Sequence, residues 1–360
     1  MSASMKAATQ KFTRSQLIIP LVALIALIVF NLFRDISFFS VEFVVNNAGN
    51  TVLSGNLINI ISNASALAIL AMGMTLVTAA SRGQDISVGA AAAIAGSVFV
   101  RIILSNQPTW GVIIFAFLCS CAVAMIFGAF NGSLVAFFKI QPMIATLILF
   151  TIGRSIAYWI NGGATPNIPL DHPALYLGRS IPGSPIPTQV YLVIICAVIF
   201  FLVLKFTNLG LYVQSVGINE QAARLNGINP IKMKLLVFMI LGICCAVAAV
   251  IQVGRANLIN HETILLGIEM DAILAVAIGG NSLGGGKFNM VGSVIGAYVI
   301  QALTTTLLAM RVPSTDIQAY KAVVIVAIVV IGSPVVKKMA GQLWGQLFNK
   351  NEATAINDMA

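Results

Sequence analysis

Charge is what this 360-residue chain has least of. Only 9% of its residues are Asp, Glu, Lys or Arg, against roughly 25% in soluble domains, which excludes an ordinary water-soluble fold. Histidine is almost absent: His172 and His261 are the only two, and neither has a partner at metal-ligand spacing. The five cysteines, Cys119, Cys121, Cys196, Cys244 and Cys245, all lie in apolar runs without a C-x-x-C pair, so they read as small hydrophobes rather than zinc or redox ligands. Neither G-x-S-x-G nor H-E-x-x-H occurs. The one glycine-rich candidate for a phosphate loop, Gly279 to Phe288, has Asn281 where the motif needs its first glycine. Phe288 follows Lys287 where a Ser or Thr is required. The sequence therefore predicts no enzyme, no metal and no bound cofactor.

What the chain has instead is apolar surface: 59% hydrophobic residues and a mean hydropathy of +0.97. That places it in the bilayer, with membrane lipid as its surroundings. The net charge of +9 sits in short loops and is no footprint of nucleic acid. At about 20 residues per spanning helix, ten spans are expected: 17–33, 57–80, 86–104, 111–138, 142–161, 189–206, 233–253, 266–280, 290–310 and 318–336. The fold expected is thus an all-α polytopic membrane protein. Its tails are 1–16 and 337–360, and the membrane domain is 17–336. The segments 86–104 and 266–280 are the weakest spans and fit broken or re-entrant helices as well, which survive where protein or water covers the freed backbone.

Basic residues orient this scheme. With the N-terminus inside, thirteen of them, from Lys6 to Lys350, fall on the cytoplasmic side. Five fall outside: Arg34, Arg101, Arg179, Arg255 and Arg311. Arg154 and Lys321 lie within spans. Such a bias is what retains loops in the cytoplasm, so both termini are expected there, in a multi-pass protein of the inner (cytoplasmic) membrane.

Polar residues inside spans are costly and need a reason. Asn131, Arg154, Gln252 and Gln301 fall within spans, and Glu269 and Asp271 open the eighth. Gln84 and Asp85 precede the third, where Asp85 or Ser87 suits a helix cap. These eight are candidates for a substrate path. Asparagine or glutamine bonding between helices, an Arg154–carboxylate pair, or acids favoured at a helix N-terminus would explain them equally well.

One internal stretch is more charged than the rest, Gly217 to Lys234, within a cytoplasmic loop at 214–234. Helix-forming Gln221, Ala222, Ala223, Arg224 and Leu225 run into Gly227, the residue type that stops helices. Pro230 then suits the first turn of the next helix. A plain connector would look the same.

Several segments, in order, resemble one family. Met72–Val77 with Asp85–Gly89 is similar to the G-M-T-L-V … G-I-D-L-S-V-G pattern of ribose- and galactofuranose-type ABC-importer permeases, in the branched-chain amino acid/ribose permease superfamily. Ile140–Leu147, Gly217–Asn229 and Glu269–Gly286 match further motifs, while Arg82-Gly83-Gln84 departs from the family's glycine-rich form. The resemblance implies a B12-importer-like (type II) permease architecture and import of a monosaccharide, pentose or hexose. It implies separate ABC ATPase subunits that use ATP and magnesium, an extracytoplasmic sugar-binding protein, and a second permease copy or paralogue. It also makes Gly217, Asn219, Glu220, Gln221, Ala222, Ala223, Arg224, Gly227 and Asn229 an ATPase-coupling segment, with the two alanines allowing close approach. The proline-rich outer segment, Asn161 to Pro187, becomes a docking surface or a structural cap. Two alternatives stay open: the same scaffold importing a nucleoside, a branched-chain amino acid or a signalling furanose, and an ATP-independent secondary transporter.

Overall fold

The computed structural model describes residues 17–45 and 51–332. The two tails, and the end of the last expected span, lie outside the described residues. Each expected span coincides with a helix. They are α1 (Ile18–Arg34), α2 (Asn56–Ser81), α3 (Val88–Leu104), α4 (Trp110–Ala136), α5 (Pro142–Ile160), α6 (Thr188–Phe206), α9 (Pro230–Ala256), α10 (Ile268–Ile278), α11 (Met290–Ala309) and α12 (Ile317–Gly332). Between α6 and α9 lie two further helices, α7 (Leu209–Ile218) and α8 (Glu220–Leu225). By length and composition six are able to cross a membrane: α2, α4, α5, α6, α9 and α11.

The two weakest spans are also the most altered. α3 has 17 residues and α10 only 11. At 1.5 Å per residue, α10 covers about 17 Å of a hydrocarbon layer about 30 Å thick. It is preceded not by helix but by turns through residues 261–267, with Leu265 and Gly267 at positive φ.

α2 and α9 form the centre. α9 packs on α4, α2 and α3, and α2 packs also on α11 and α10. Small residues permit this. A Cβ on Gly128 of α4 would overlap the Phe238 carbonyl of α9, and one on Gly242 of α9 would overlap the Ala124 carbonyl of α4. The two backbones touch directly, the close approach by which helices associate where there is no water to expel. α6 is the opposite case: only Thr188, Gln189 and Val193, all near its start, are buried. Ile194, Ile195, Ile199 and Phe201 are exposed for lipid, while Leu192, Cys196 and Phe200 rest half-buried on the core. α1 is fastened to α11 by Asn31, whose amide donates to Thr306 Oγ1 at 2.8 Å, and by Arg34, which donates to the Ala309 carbonyl at 2.6 Å.

The expectation of an all-helical chain needs one correction. Between α1 and α2, β1 (Glu42–Val45) pairs antiparallel with β2 (Thr51–Ser54), with Glu42 opposite Ser54 and Val45 opposite Thr51. β-branched and aromatic residues favour an extended pair once the chain leaves the bilayer. The Leu53 N–H donates to the Pro185 carbonyl at 3.1 Å, so the hairpin is joined to the 161–187 segment. That segment holds one 3-10 turn, Pro173–Leu177. It lies down on the end of α9, where Arg179 bonds Asn257 and Gly178 meets Gly254, which favours the cap over a free-standing surface.

Candidate functional site

Two regions carry the polar chemistry. The first is the loop from α7 to α9, whose every turn is fixed by a neighbour in sequence. Asn219 caps α8, its Oδ1 accepting from the Gln221 and Ala222 N–H groups, both at 3.0 Å. Asn229 caps α9 in the same way, accepting from Ile231 at 3.0 Å and Lys232 at 3.2 Å. α8 ends in a complete Schellman motif: Gly227 N–H to the Arg224 carbonyl at 3.1 Å, Ile228 N–H to the Ala223 carbonyl at 3.0 Å. Gly227 sits at φ 78°, where a Cβ is disfavoured. Glu220 pairs with Lys234 at 2.7 Å and reaches Arg224 at 4.0 Å. The hydrogen bond from Lys234 holds the Glu220 carboxyl below the usual carboxylate range.

The nine residues assigned to coupling divide here. Asn219, Gln221, Ala222, Arg224, Gly227 and Asn229 are exposed. Ala223 is 3% exposed and turned into the protein, so it seats the helix rather than offering a surface for close approach. Gly217 is buried: a Cβ there would overlap the Ala79 carbonyl, the end of α2. Arg82, at the α2 C-cap with φ 58°, donates Nε to the Gly217 carbonyl at 2.6 Å and Nη2 to that of Ile218. Sequence reasoning passed over Leu225, which is 90% exposed at the tip of α8. An unprotected leucine among polar neighbours was its signal.

The second region surrounds the first turn of α3 and is buried. Asp85, 4% exposed, accepts from the Ser87 N–H at 2.7 Å and hydroxyl at 2.6 Å. The Asn131 amide donates to Ser87 Oγ at 2.8 Å and, more weakly, to Asp85 Oδ2 at 3.4 Å. Among the described residues no Lys or Arg lies within ion-pair distance of Asp85. Its compensation comes from these hydrogen bonds and the adjacent helix N-terminus.

Four residues further on, Gly89 lies between Arg154 of α5 and Glu269 of α10. An atom at the position of its missing Cβ would be 2.7 Å from Glu269 Oε2 and 3.2 Å from Arg154 Nη2. Arg154 is anchored through Nη1, which donates to the carbonyls of His261 at 2.8 Å, Glu262 at 3.0 Å and Ile264 at 3.2 Å. Its Nη2 and Glu269 Oε2 are buried and have no hydrogen-bond partner.

The other candidates lie apart. Gln84 is 7% exposed and donates to the Leu283 carbonyl at 3.1 Å, tying the α2–α3 turn to the glycine-rich loop. Asp271 lies in the first turn of α10, as an acid at a helix N-terminus would, and also pairs across helices with Lys321 of α12 at 2.7 Å. Gln252 and Gln301 are half-buried on α9 and α11, and no hydrogen bond brings them to the cluster.

Comparison with known proteins gives the family. Residues 56–332 match the family model described as branched-chain amino acid transport system / permease component. The galactofuranose transporter permease protein YtfT of Escherichia coli (strain K12) is 37% identical over 281 residues, covering 78% of this chain and 80% of that one. The fructose import permease protein FruF of Bifidobacterium longum (strain NCC 2705) is 31% identical over 352 residues, 96% of each. The ribose import permease protein RbsC of Escherichia coli (strain K12) is 35% identical over 278 residues, 77% of this chain and 85% of that one. No solved structure matches. A multi-pass helical chain, matched from α2 to α12 and related at this level to three sugar permeases, belongs to the branched-chain amino acid transport permease family, among its sugar ABC-importer permeases.

Proposed function

We propose that this chain is the transmembrane permease subunit of an ATP-binding-cassette importer that moves a monosaccharide into the cytoplasm. The observation that carries the reading is α8. It is a six-residue helix, too short to stand alone, fixed at both ends by its own caps and presenting Leu225, Ala222 and Gln221 to solvent. Such a helix is made to be gripped by something else. An ABC ATPase subunit, hydrolysing ATP with magnesium, is the partner this chain requires, since it has no phosphate loop of its own. A sugar-binding protein on the outer side and a second copy or paralogue complete the assembly.

The ten-span topology with both termini inside, and the type II architecture, belong to the same proposal and rest on the charge bias and the family. Arg82 gives the coupling a physical route. It joins the end of α2, next to the buried cluster, to the α7 carbonyls immediately before α8, so displacement of α8 pulls on the turn that carries Asp85. The sugar is one the relatives' names bracket, a pentose or a hexose.

A second reading, an ion-coupled transporter without an ATPase, draws on Asp85, a buried carboxylate with no Lys or Arg in ion-pair reach among the described residues. Uptake separates the two. Membrane vesicles carrying the complex, supplied with binding protein and labelled sugar, accumulate sugar only when ATP is present on the cytoplasmic side. Accumulation driven by a proton or sodium gradient alone would favour the second reading.

A further inference from the structure

Arg154 and Glu269 pose a question that the importer reading does not answer. Two charges of opposite sign lie beside the same glycine, and each has an atom without a partner. They are nevertheless outside ion-pair distance, 4.0 Å, of each other. Glu269 is 4% exposed. A buried charge left unpaired is among the costlier features a protein keeps. Arg154 cannot swing across to cancel it, because three backbone carbonyls hold its Nη1. The guanidinium is thus positioned facing the carboxylate without meeting it.

Gly89 supplies the third fact. Oε2 of Glu269, Nη2 of Arg154 and the Leu265 carbonyl oxygen, at 3.0 Å, all converge on the place where any other residue would have its Cβ. The Leu265 oxygen already accepts from Ile268 N–H at 3.3 Å. The other two are an acceptor and a donor left open. Gly89 and Glu269 lie in the first turns of α3 and α10, and neither helix has a side-chain cap hydrogen bond from its N-cap residue, Ser87 or Gly267.

Resting on the monosaccharide-import reading, we propose that Arg154 and Glu269, across Gly89, form a site for one hydroxyl of the transported sugar. A sugar hydroxyl satisfies both atoms at once, donating its proton to Glu269 Oε2 and accepting from Arg154 Nη2. An anion would meet the carboxylate and a cation the guanidinium, so the pair selects a neutral polyhydroxylated substrate. In this conformation both atoms are shut off from solvent. The hydroxyl enters when the first turns of α3 and α10 part and is released when they close, which makes the site part of the transport cycle and not a resting depot. Hydrogen bonds to charged groups are worth enough that losing one weakens recognition by about tenfold to a hundredfold.

The test is uptake of radiolabelled D-ribose, D-fructose and D-galactose into vesicles holding the whole complex, with each monodeoxy analogue of the accepted sugar as competitor. For the wild type, one analogue, lacking the engaged hydroxyl, competes at least about tenfold worse than its isomers. In Glu269→Gln and Arg154→Gln that single difference shrinks about tenfold while the ranking of the other analogues holds. In Gly89→Ala, uptake falls at least about tenfold with normal membrane content and thermal stability, because the methyl group fills the space.

Three results overturn the proposal alone: no single-hydroxyl discrimination in the wild type, variants that lower uptake of every analogue in proportion, or wild-type uptake by Gly89→Ala. Failure of the wild type to take up any of the three sugars overturns the import reading, and this proposal with it.

Discussion

The α7–α9 loop and the cluster around α3 are the two polar regions of an apolar molecule, and they are finished in opposite ways. In the loop both ends of α8 and the start of α9 are satisfied within a few residues, by Asn219, Asn229 and the Gly227 motif, and only the Gly217 and Ile218 carbonyls take a donor from outside, Arg82. What remains open is apolar, the exposed Leu225. In the cluster the side chains come from four separated stretches, and what remains open is polar: Asn131 Oδ1, Arg154 Nη2 and Glu269 Oε2. A locally complete surface with one bare leucine suits a protein partner. A buried cluster with open polar atoms suits a small polar passenger.

The largest effect should come from breaking a buried pair that is complete. Lys321→Ala leaves Asp271 without its cation; loss of one partner of a fully buried pair costs about 3–5 kcal/mol, and with the Asp271 side chain 22% exposed the lower end is expected, read as a fall in Tm in detergent. Replacing both, Lys321→Met with Asp271→Leu, should recover most of that loss. Glu269→Gln, by contrast, removes a buried charge that has no ion pair, so Tm should stay the same or rise. If Glu269→Gln destabilised as much as Lys321→Ala, Glu269 would be an essential structural ion and the contrast between complete and open polar groups would fail.

A smaller effect is expected in the loop. Asn219→Ala removes one cap, worth about 1 kcal/mol, so it should raise proteolysis around Leu225 while the Tm of the bundle barely moves. Asn219→Asp or Asn219→Ser, which still cap, should restore protection. Loss of the whole bundle's stability in Asn219→Ala would mean that the loop is not the separate, self-closed element described.

The smallest effect is electrostatic. Lys234 lowers the pKa of Glu220 in the folded protein. The stabilisation of the loop is therefore fully present above the ordinary carboxylate pKa and is lost as pH falls through the lowered one. The Glu220 side chain is 36% exposed, so solvent and salt reduce the effect. Protection of α8 against hydrogen exchange, taken relative to the intrinsic rate at each pH, should fall slightly in acid for the wild type, and this acid-dependent increment should be missing in Glu220→Gln. The same increment in both would assign it to another group.

The same contrast governs how much could be read before the fold was known. The loop's caps lie two or three residues from the N–H groups they satisfy, so Asn219, Gly227 and Asn229 were legible as a short helix with a stop. The apolar runs likewise marked where helices lie, although among the described residues α1, α3 and α10 are shorter than the six long apolar helices. The inward turn of Ala223 was not legible, because adjacent alanines of α8 differ only in which way they face once the helix is docked. Nor were the long-range partners. Lys321 lies 50 residues from Asp271, and Gly89 owes its meaning to side chains from α5 and α10 that no local pattern brings together. The β1–β2 hairpin was missed because attention to membrane spans passes over the polar stretch between them.

The most direct test of the account is co-purification of the tagged chain from its native membranes, comparing the wild type with Leu225→Asp. Leu225 is almost fully exposed and supports no packing, so the variant should fold and insert with an unchanged Tm. The wild type should bring down a protein carrying phosphate-loop motifs, identified by mass spectrometry, and Leu225→Asp should lose it together with ATP-driven uptake. Retention of that ATPase and of uptake by Leu225→Asp would contradict the assignment of α8 as the helix through which this permease is driven.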